Sequence, residues 1–297
     1  MNYTLHQLKI FLKVVQTQSI TRASEELFMT QPAVSIQLKN FQDQFDLPLT
    51  EVIGRQLYVT EFGKEVAVIA DRVIEELENI NYKSQAFKGL LTGKLSISSA
   101  STGKYVIPYF LTGFLEKYRG VDLILDVTNK SLVIESLKKN EIDFALVSVL
   151  TDKIEVEQEI LLENKLYLMG NSPVRDEKRP LIFREEGSAT RIAMEQYLKS
   201  QEEVHRKRIE LTSNEAVKQA VIAGIGDSIM PLIGVRNELL SHELHIIPAP
   251  GLPVKSDWRL VWLKGKKLSV VSQAFLDYIR NEKETLTQKY FDWYLSY

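Results

Sequence analysis

The chain has 297 residues, with 37 Lys and Arg against 39 Asp and Glu, four His and no Cys. This length predicts about two domains, and the lack of Cys excludes disulfides, thiolate metal sites and cysteine nucleophiles. No apolar run approaches the roughly 20 residues that cross a bilayer, and the N-terminus lacks the basic-then-apolar order of a signal peptide. We therefore expect a cytoplasmic protein, and the formal charge of −2 gives no sign of a nucleic-acid partner.

The N-terminal residues predict short helices. Apolar residues recur at spacings of three and four over residues 4–17, as on one face of an amphipathic helix. A second helical stretch is predicted after Thr21 and contains Ala23, Leu27 and Phe28.

A third helix is predicted from Thr30, a good N-cap residue, with Pro32 tolerated in the first turn. Its apolar residues are Val34, Leu38, Phe41 and Phe45. The segment 49–60 then predicts two short strands around a turn. Three helices followed by a hairpin is the order of a winged helix-turn-helix.

The longest helical pattern covers residues 61–88. Its apolar positions step by three or four: Phe62, Val66, Ile69, Val73, Leu77 and Ile80. An apolar stripe between charged flanks favours a dimer of two such helices. The alternative is that the stripe packs on the helix's own domain.

From Lys94 onward, short apolar runs alternate with helical patterns, which is typical of βαβ units and a parallel sheet. The predicted strands are 95–99, 123–128, 144–150, 166–169, 181–183 and 227–230. The predicted helices are 104–118, 131–140, 188–200 and 214–223.

Enzyme motifs are weak or missing. Gly224-Ile225-Gly226 lacks the third glycine of a dinucleotide fingerprint, and the chain has no Walker loop and no Gly-X-Ser-X-Gly elbow. His242 and His245 are three residues apart rather than four and run into a strand-like segment, so we expect no metal site there. We therefore expect neither an enzyme nor a bound cofactor.

A DNA-binding pattern is stronger. In a helix-turn-helix, the second helix lies in the major groove with its N-terminal residues at base edges. Hydrogen-bonding residues of the third helix alternate here with buried Val34 and Leu38; they are Thr30, Gln31, Ser35, Gln37 and Lys39. The alternative is that these side chains are only the solvated face of a small bundle.

Residues 5–63 resemble the N-terminal domain of LysR-type transcriptional regulators. The resemblance runs through Ser19-Ile20-Thr21-Arg22-Ala23-Ser24, Thr30-Gln31-Pro32-Ala33-Val34-Ser35, Gly54-Arg55 and Leu57…Thr60-Glu61-Phe62-Gly63. Downstream, Gly93–Ile97, Asp143–Leu146 and Gly224–Gly226 fall at positions that the family predicts, so the resemblance covers the whole chain.

The resemblance implies an α/β protein with an all-α-plus-wing N-terminal domain. Residues 1–60 would form the winged helix-turn-helix and 61–90 the dimerising linker helix. Residues 91–297 would form a bilobed effector domain built like a periplasmic binding protein, with two crossing strands and a ligand cleft between the lobes. Lobe one would be about 91–165 and 266–297, and lobe two about 166–265. We expect the aromatic segment 290–297 to pack on lobe one, with oligomer contacts as the alternative.

The resemblance also assigns residues to DNA contact. The start of the third helix would read bases through Gln31, Pro32, Ala33 and Ser35. The preceding helix would reach phosphates around Ser19, Thr21 and Arg22, and the wing through Arg55. Five positions depart from the family pattern, which puts some phosphate contacts in doubt: Ile36, Phe41, Gln42, Thr50 and Val52.

For the effector, family members use hydroxyl groups that follow the first strand of lobe one. The expected cleft residues are Ser99, Ser101, Thr102, Thr128, Asn129, Ser148, Ser188, Thr190 and Asn214. Ser188 could instead serve only as a helix N-cap. Asp227 replaces a usually apolar residue, and a carboxylate pointing into the cleft would disfavour an anion, which leaves the charge of the effector open.

The sequence thus predicts a regulator whose partners are double-stranded promoter DNA, a small-molecule coinducer, a second or further copies of itself, and possible contact with RNA polymerase, without a membrane. The alternative is a cytosolic small-molecule-binding module without DNA binding.

Overall fold

The computed structural model describes residues 2–54, 56–87, 90–150, 154–201 and 206–297. Positions 75, 78, 79, 81–83 and 85–87 are described by their backbone alone. The chain divides into two compact units, Met1–Gly89 and Leu90–Tyr297. Within the described ranges, no helix combines the length and the apolar character needed to cross a membrane.

The first unit contains three short helices, a two-stranded hairpin and one long helix. Its elements are α1 (Leu5–Thr17), α2 (Ile20–Glu26), α3 (Gln31–Gln42), β1 (Thr50–Ile53), β2 (Gln56–Val59) and α4 (Glu61–Phe87). The helices enclose a core of aliphatic and aromatic side chains that includes the fully buried Phe11, Val14 and Val34. The expected start of α3 is confirmed, because the Thr30 hydroxyl accepts a hydrogen bond from the Ala33 N–H at 3.4 Å.

The prediction that Phe28 lies in the second helix is wrong. Helix α2 begins after Ser19 and ends at Glu26, and Phe28 is 98% exposed with φ at +53°. The N–H groups of Phe28 and Met29 bond to the carbonyls of Glu25 and Ser24, which closes α2 as a Schellman turn. The chain must reverse within three residues to begin α3, so the residue at this left-handed position points into solvent.

Helix α4 carries its apolar stripe partly uncovered. Phe62 and Val66 pack against the core of the first unit. Further along, Ile69, Val73 and Ile80 are 61%, 40% and 63% exposed. The core of this unit therefore does not cover the distal part of the stripe, which excludes for these residues the alternative that they pack on their own domain.

The second unit is a bilobed α/β structure. Its strands are β3 (Thr92–Ala100), β4 (Gly120–Thr128), β5 (Phe144–Val147), β6 (Val156–Gly170), β7 (Leu181–Arg184), β8 (Arg208–Leu211), β9 (Ser228–Pro231), β10 (His245–Ile246) and β11 (Val254–Leu263). Its helices are α5 (Ile107–Lys117), α6 (Lys130–Lys138), α7 (Ala189–Ser200), α8 (Asn214–Ile222), α9 (Arg236–Leu240) and α10 (Val270–Phe291), with 3₁₀ turns at Ser101–Tyr105, Leu232–Gly234 and Asp292–Ser296.

Lobe one is built on β4, β3 and β5, which run parallel. Lobe two contains the parallel pair β7 and β8, and β9, which is bridged to β7 at Leu181 and Asp227. The antiparallel strands β6 and β11 run through both lobes. Strand β6 joins β9 from Leu166 onward, and β11 pairs with β5 from Arg259 to Val261.

The two strands that cross between the lobes, β6 and β11, cover residues that the sequence patterns did not predict as strand. The predicted strand 166–169 is only the end of β6, whose 15 residues begin at Val156. The first half of β6 was missed because Glu157, Gln158 and Glu159 interrupt its apolar pattern. Strand β11 returns to lobe one by Arg259, inside the range that the sequence assigned to lobe two.

Candidate DNA interface and ligand cleft

The first unit exposes the predicted base-reading residues together. Thr30, Gln31, Pro32, Ser35 and Lys39 are exposed, and Ala33 and Gln37 are half-buried, while Val34 and Leu38 point into the core. A helix start with capped N–H groups and exposed polar side chains is the geometry that inserts into a major groove.

The preceding helix presents a second set of polar groups. Thr21 and Arg22 are exposed on the first turn of α2, and the half-buried Ser19 caps that helix by accepting a hydrogen bond from the Arg22 N–H at 3.3 Å. Arg55, the predicted wing contact, lies outside the described residues.

Two departures from the family pattern have a structural role. The Gln42 side-chain oxygen accepts hydrogen bonds from both the N–H and the hydroxyl of Thr50, at 2.8 and 3.0 Å. The pair fixes the end of α3 to the first strand of the wing. Ile36 and Val52, in contrast, are 58% and 67% exposed, so these two apolar side chains lie on the surface.

The cleft of the second unit lies at the carboxyl ends of the parallel strands of lobe one, the edge where ligands bind in open α/β sheets. The Ser101 hydroxyl is the central contact between the lobes. It accepts a hydrogen bond from Asn214 Nδ2 at 2.6 Å and another from Arg184 Nη1 at 3.3 Å, both from lobe two. Both acceptor positions of the hydroxyl are therefore used, and its proton remains available to donate.

Arg184 ends β7 and is almost completely buried. Its Nε and Nη2 groups donate to the two carboxylate oxygens of the adjacent Glu185, at 2.7 and 2.8 Å. This is the bidentate geometry in which arginine binds carboxylates and phosphates. Arg191, on α7, donates to the Arg184 carbonyl at 3.1 Å and fixes the end of the strand.

A second charged group lies beside the first. Lys218 on α8 pairs with Glu215 at 3.0 Å and with Glu238 at 2.6 Å. Tyr105 of lobe one donates to Glu215 across the cleft at 3.4 Å, and burial raises the pKa of its hydroxyl. Burial opposes ionisation of Glu215, but the hydrogen bond and the charge of Lys218 prevail and lower the pKa of this carboxyl.

A cavity of about 10 Å³ lies beside Tyr105, Asn214 and Lys218. Its lining residues come from both lobes: Thr102, Tyr105, Asn214, Lys218, Met230, Pro231, Gly234 and Val235. A cavity of this size holds about one water molecule. A metabolite can therefore occupy this cavity only if the side chains that line it move apart.

The structure brings part of the predicted effector set together. Ser101, Thr102 and Asn214 meet at the lobe contact, and Asn129 lies beside Gly187 of lobe two. Thr128 ends β4 and is half-buried, while Ser148 directly follows β5. Ser99 is fully buried, and its hydroxyl donates to the Ala100 carbonyl at 3.0 Å.

Two predicted residues belong to α7. Ser188 occupies the N-cap position, but its side chain makes no capping hydrogen bond. Thr190 lies buried in the first turn of the helix. Ser188 is therefore the N-cap residue by position, as the alternative expected, although its hydroxyl does not cap the helix.

Asp227 does not point into the cleft. It is fully buried and pairs with Arg206 at 2.9 Å and with Arg179 at 3.3 Å. Asp227 bridges to Leu181, at the amino end of β7, whereas Arg184 forms the carboxyl end of the same strand. An Asp227 carboxylate in the cleft would disfavour an anionic effector. Because Asp227 lies elsewhere, that objection no longer applies.

The sequence prediction missed three charged or aromatic cleft residues: Tyr105, Arg184 and Lys218. The available signal was Arg184, a cation that directly follows the apolar run 181–183 and precedes a glycine turn. Nothing in the local sequence around Lys218 indicated that the folded chain would bury it between two carboxylates.

Two family models match the chain. The model described as "Bacterial regulatory helix-turn-helix protein, lysR family" covers residues 5–64, and "LysR substrate binding domain" covers residues 88–284. The N-terminal match excludes the alternative of a binding module that lacks a DNA-binding domain.

Curated relatives match over nearly the whole length. The chain is 34% identical to the HTH-type transcriptional activator CmpR of Synechocystis sp., over 96% of this chain and 98% of the relative. It is also 34% identical to a RuBisCO operon transcriptional regulator of Allochromatium vinosum, over 95% and 97%. Among solved structures, the Synechocystis CcmR regulatory domain in complex with 2-PG matches with a TM-score of 0.61 and 32% identity, over 65% of this chain and 98% of that one.

Proposed function

The chain belongs to the LysR family of bacterial transcriptional regulators, and we propose that a small anionic metabolite bound between its two lobes controls how it acts at its promoters. As a family member it is a DNA-binding regulator with an effector-binding domain. The proposal concerns the chemistry of the effector, the residues that bind it and the genes that respond.

The observation that carries the proposal is the convergence of hydrogen-bond donors on the Ser101 hydroxyl. Arg184 and Asn214 reach it from lobe two, and the hydroxyl proton of Ser101 is itself available. Guanidinium, amide and hydroxyl donors that meet in a nearly dry site suit a carboxylate or a phosphate. Because Asp227 is neutralised at the other end of β7, no carboxylate from that position opposes such a ligand.

The relatives suggest which anion to test. One solved relative carries 2-PG in its regulatory domain, and other relatives are named as regulators of RuBisCO operons. We therefore propose that this chain binds 2-PG, or a ligand of the same charge and size, and regulates genes of carbon assimilation.

On the DNA side, we propose that α3 reads the bases of the operator. The polar groups at its start, Gln31 and Ser35 in particular, would contact base edges, while Thr21, Arg22 and Lys39 would contact phosphates. A second copy of the chain would bind through the exposed stripe of α4, so that two α3 helices reach two half-sites.

We further propose that the chain acts in the cytoplasm, without catalysis and without a metal or organic cofactor. Its curated relatives are transcriptional regulators, and a chain without Cys lacks the commonest ligand of structural zinc and iron–sulfur sites. Contact with RNA polymerase would follow DNA binding.

The test is binding of the full-length protein to DNA from the region upstream of its own gene, measured by fluorescence anisotropy with and without 2-PG. Gln31→Ala should lose about 1–3 kcal/mol of binding free energy, because a bidentate base contact is worth that amount. Gln16→Ala is the matched control, since Gln16 is an exposed glutamine on α1. Binding that is insensitive both to salt and to Gln31→Ala would refute the proposal for DNA.

The effector part is tested by Ser101→Ala in the same protein. This variant should bind 2-PG more weakly than the wild type in calorimetry, while it binds DNA without 2-PG as before. Wild-type protein that binds neither 2-PG nor inorganic phosphate would refute the anionic effector.

A further inference from the structure

The guanidinium of Arg184 already holds an anion in the ligand-free cleft. Glu185 occupies its Nε and Nη2 edge with both carboxylate oxygens, and Nη1 donates to Ser101. The Arg184 and Glu185 side chains are only 5% and 17% exposed, so solvent screens this pair weakly. A ligand phosphate or carboxylate cannot use the same edge of the guanidinium while Glu185 remains there.

The charges around the cleft bear on whether an entering anion would have to replace Glu185 at Arg184. Two cations, Arg184 and Lys218, lie against three carboxylates, those of Glu185, Glu215 and Glu238. The charge of Lys104 also acts on Glu215, so these three cations balance the three carboxylates and the described cleft network offers an anion no net positive charge before any ligand enters. An anion gains from such a site only if one of the carboxylates moves away, because like charges in a poorly hydrated site repel strongly.

Glu185 is the carboxylate that can leave most readily. Glu215 and Glu238 belong to α8 and α9, and each pairs with the same Lys218. Glu185 lies instead in the short connection between β7 and α7, which contains Gly187 at φ +85°. Rotation of one loop side chain frees a whole edge of Arg184 without breaking a helix.

We propose that Glu185 is a tethered competitor for the effector: its carboxylate holds Arg184 in the empty cleft, and an anionic ligand must displace it to bind. The inference rests on the proposed function in that it needs an anion to bind this cleft. It also makes the cleft selective for anionic over neutral ligands, since a neutral ligand would gain nothing from displacing Glu185. It also sets the ligand concentration at which the regulator responds, because the internal carboxylate lowers the apparent affinity.

The alternative role of Glu185 is to position Arg184 for the ligand, and this role predicts a different effect on anion affinity. If Glu185 only held Arg184 in position for the ligand, removal of its charge would weaken anion binding. If Glu185 competes, removal of its charge strengthens anion binding. The sign of the change in affinity therefore separates a competitor from a positioning residue.

The test compares Glu185→Gln with Glu186→Gln in the full-length protein, by calorimetric titration with 2-PG and with inorganic phosphate. Glu186 is the matched control because it is the next residue, carries the same charge and is exposed. Glu185→Gln should bind both probes about tenfold more tightly, which corresponds to about 1.4 kcal/mol. Glu186→Gln should stay within about twofold of the wild type, since an exposed charge is largely screened by salt.

Glu185→Asp provides a second variant, for the case that the glutamine protein unfolds. The shorter side chain keeps the charge but cannot span both nitrogens in the same way, so its affinity should lie between those of the wild type and Glu185→Gln. Promoter DNA binding should respond at a correspondingly lower 2-PG concentration in Glu185→Gln. The melting temperature of each variant, measured without ligand, checks that the proteins are folded.

The outcomes separate the two claims. Anion binding by the wild type, with equal or weaker binding by Glu185→Gln, overturns the competitor and leaves the anionic effector standing. Anion binding by both proteins that is tighter in Glu185→Gln than in the wild type supports the competitor. No binding of either probe to any variant overturns both.

Discussion

The main-chain N–H of Lys165 donates a hydrogen bond to the phenolic oxygen of Tyr294 at 2.8 Å, across 129 residues of sequence. Lys165 lies in β6 directly before Leu166, where that strand begins to pair with β9 of lobe two. Its ammonium group donates to the main-chain oxygens of Tyr294 and Tyr297 at 3.2 and 2.7 Å. The C-terminal segment is therefore fixed to the strand that connects the lobes.

The same segment reaches lobe two. The Arg236 guanidinium of α9 lies 5.1 Å from the centroid of the Trp293 ring, while Phe291 packs against Tyr109 and Phe110 of lobe one. The expectation that the aromatic segment packs on lobe one is confirmed. The segment also contacts β6, which connects the lobes, and α9 of lobe two.

Tyr294→Phe should destabilise the second unit by about 1–3 kcal/mol, because the buried Lys165 N–H loses its acceptor. Burial raises the pKa of the Tyr294 hydroxyl above its ordinary value, so the group is protonated at neutral pH. The measurement is unfolding by urea. Tyr297→Phe serves as the control, since Tyr297 is 41% exposed and the atom that Lys165 contacts there is a main-chain oxygen. Equal stability of both variants would contradict the role of this hydrogen bond.

Asp227→Asn should cost about 3–5 kcal/mol of stability, because it leaves the buried Arg206 guanidinium, and the half-buried Arg179 beside it, without their carboxylate. Glu210→Gln is the control in the same lobe. Glu210 is 56% exposed and pairs with Arg191, so its loss should change stability by less than about 1 kcal/mol. Denaturant unfolding of the two variants gives the comparison.

Any Asp227→Asn protein that remains folded should bind 2-PG as the wild type does, because Asp227 and Arg184 lie at opposite ends of β7. A selective loss of anion binding in a folded Asp227→Asn protein would place that carboxylate in the ligand site and contradict the structure.

Ile69→Asp should convert a dimer into monomers without unfolding the first unit. Ile69 is 61% exposed and lies on the apolar stripe of α4, so a charge there costs little in the monomer and much in a helix pair. Sedimentation equilibrium measures the association, and circular dichroism measures the helix content. Ile36→Asp is the matched control, since Ile36 is 58% exposed on α3 and should affect DNA binding rather than self-association.

DNA binding should depend on salt only moderately. Residues 1–63 contain five basic and six acidic side chains, and Lys13 is already paired with Glu26 at 2.8 Å. Each phosphate contact adds about 0.9 to the slope of log K against log salt. We expect occupancy to depend on avidity between copies and on a few hydrogen bonds to bases. A slope that corresponds to eight or more phosphate contacts per chain would contradict this.

Local sequence patterns were sufficient for most of the secondary structure. The N-cap at Thr30 and the spacing of Val34 and Leu38 defined α3 because capping and apolar periodicity depend on neighbours within one or two turns. The same reasoning failed at Phe28, where an apolar side chain occupies a turn whose backbone is fixed by the closure of α2 rather than by burial. It also failed at β6, whose first half gains its partners from β11, about a hundred residues later.

The sequence by itself determined the class of the protein. Residues close together along the chain form the helix-turn-helix motifs and the alternating strand and helix patterns, so both can be recognised without the fold. The resemblance of the sequence to the family also predicted Ser101 and Asn214 as cleft residues, and the structure brings these two side chains into contact. Only the tertiary structure decided the electrostatics: that Asp227 is neutralised by two arginines at the far end of β7, and that Glu185 occupies the guanidinium that an effector would need. The reason is that charge interactions depend on distance and burial, and both are set by residues that the fold brings together from distant parts of the sequence.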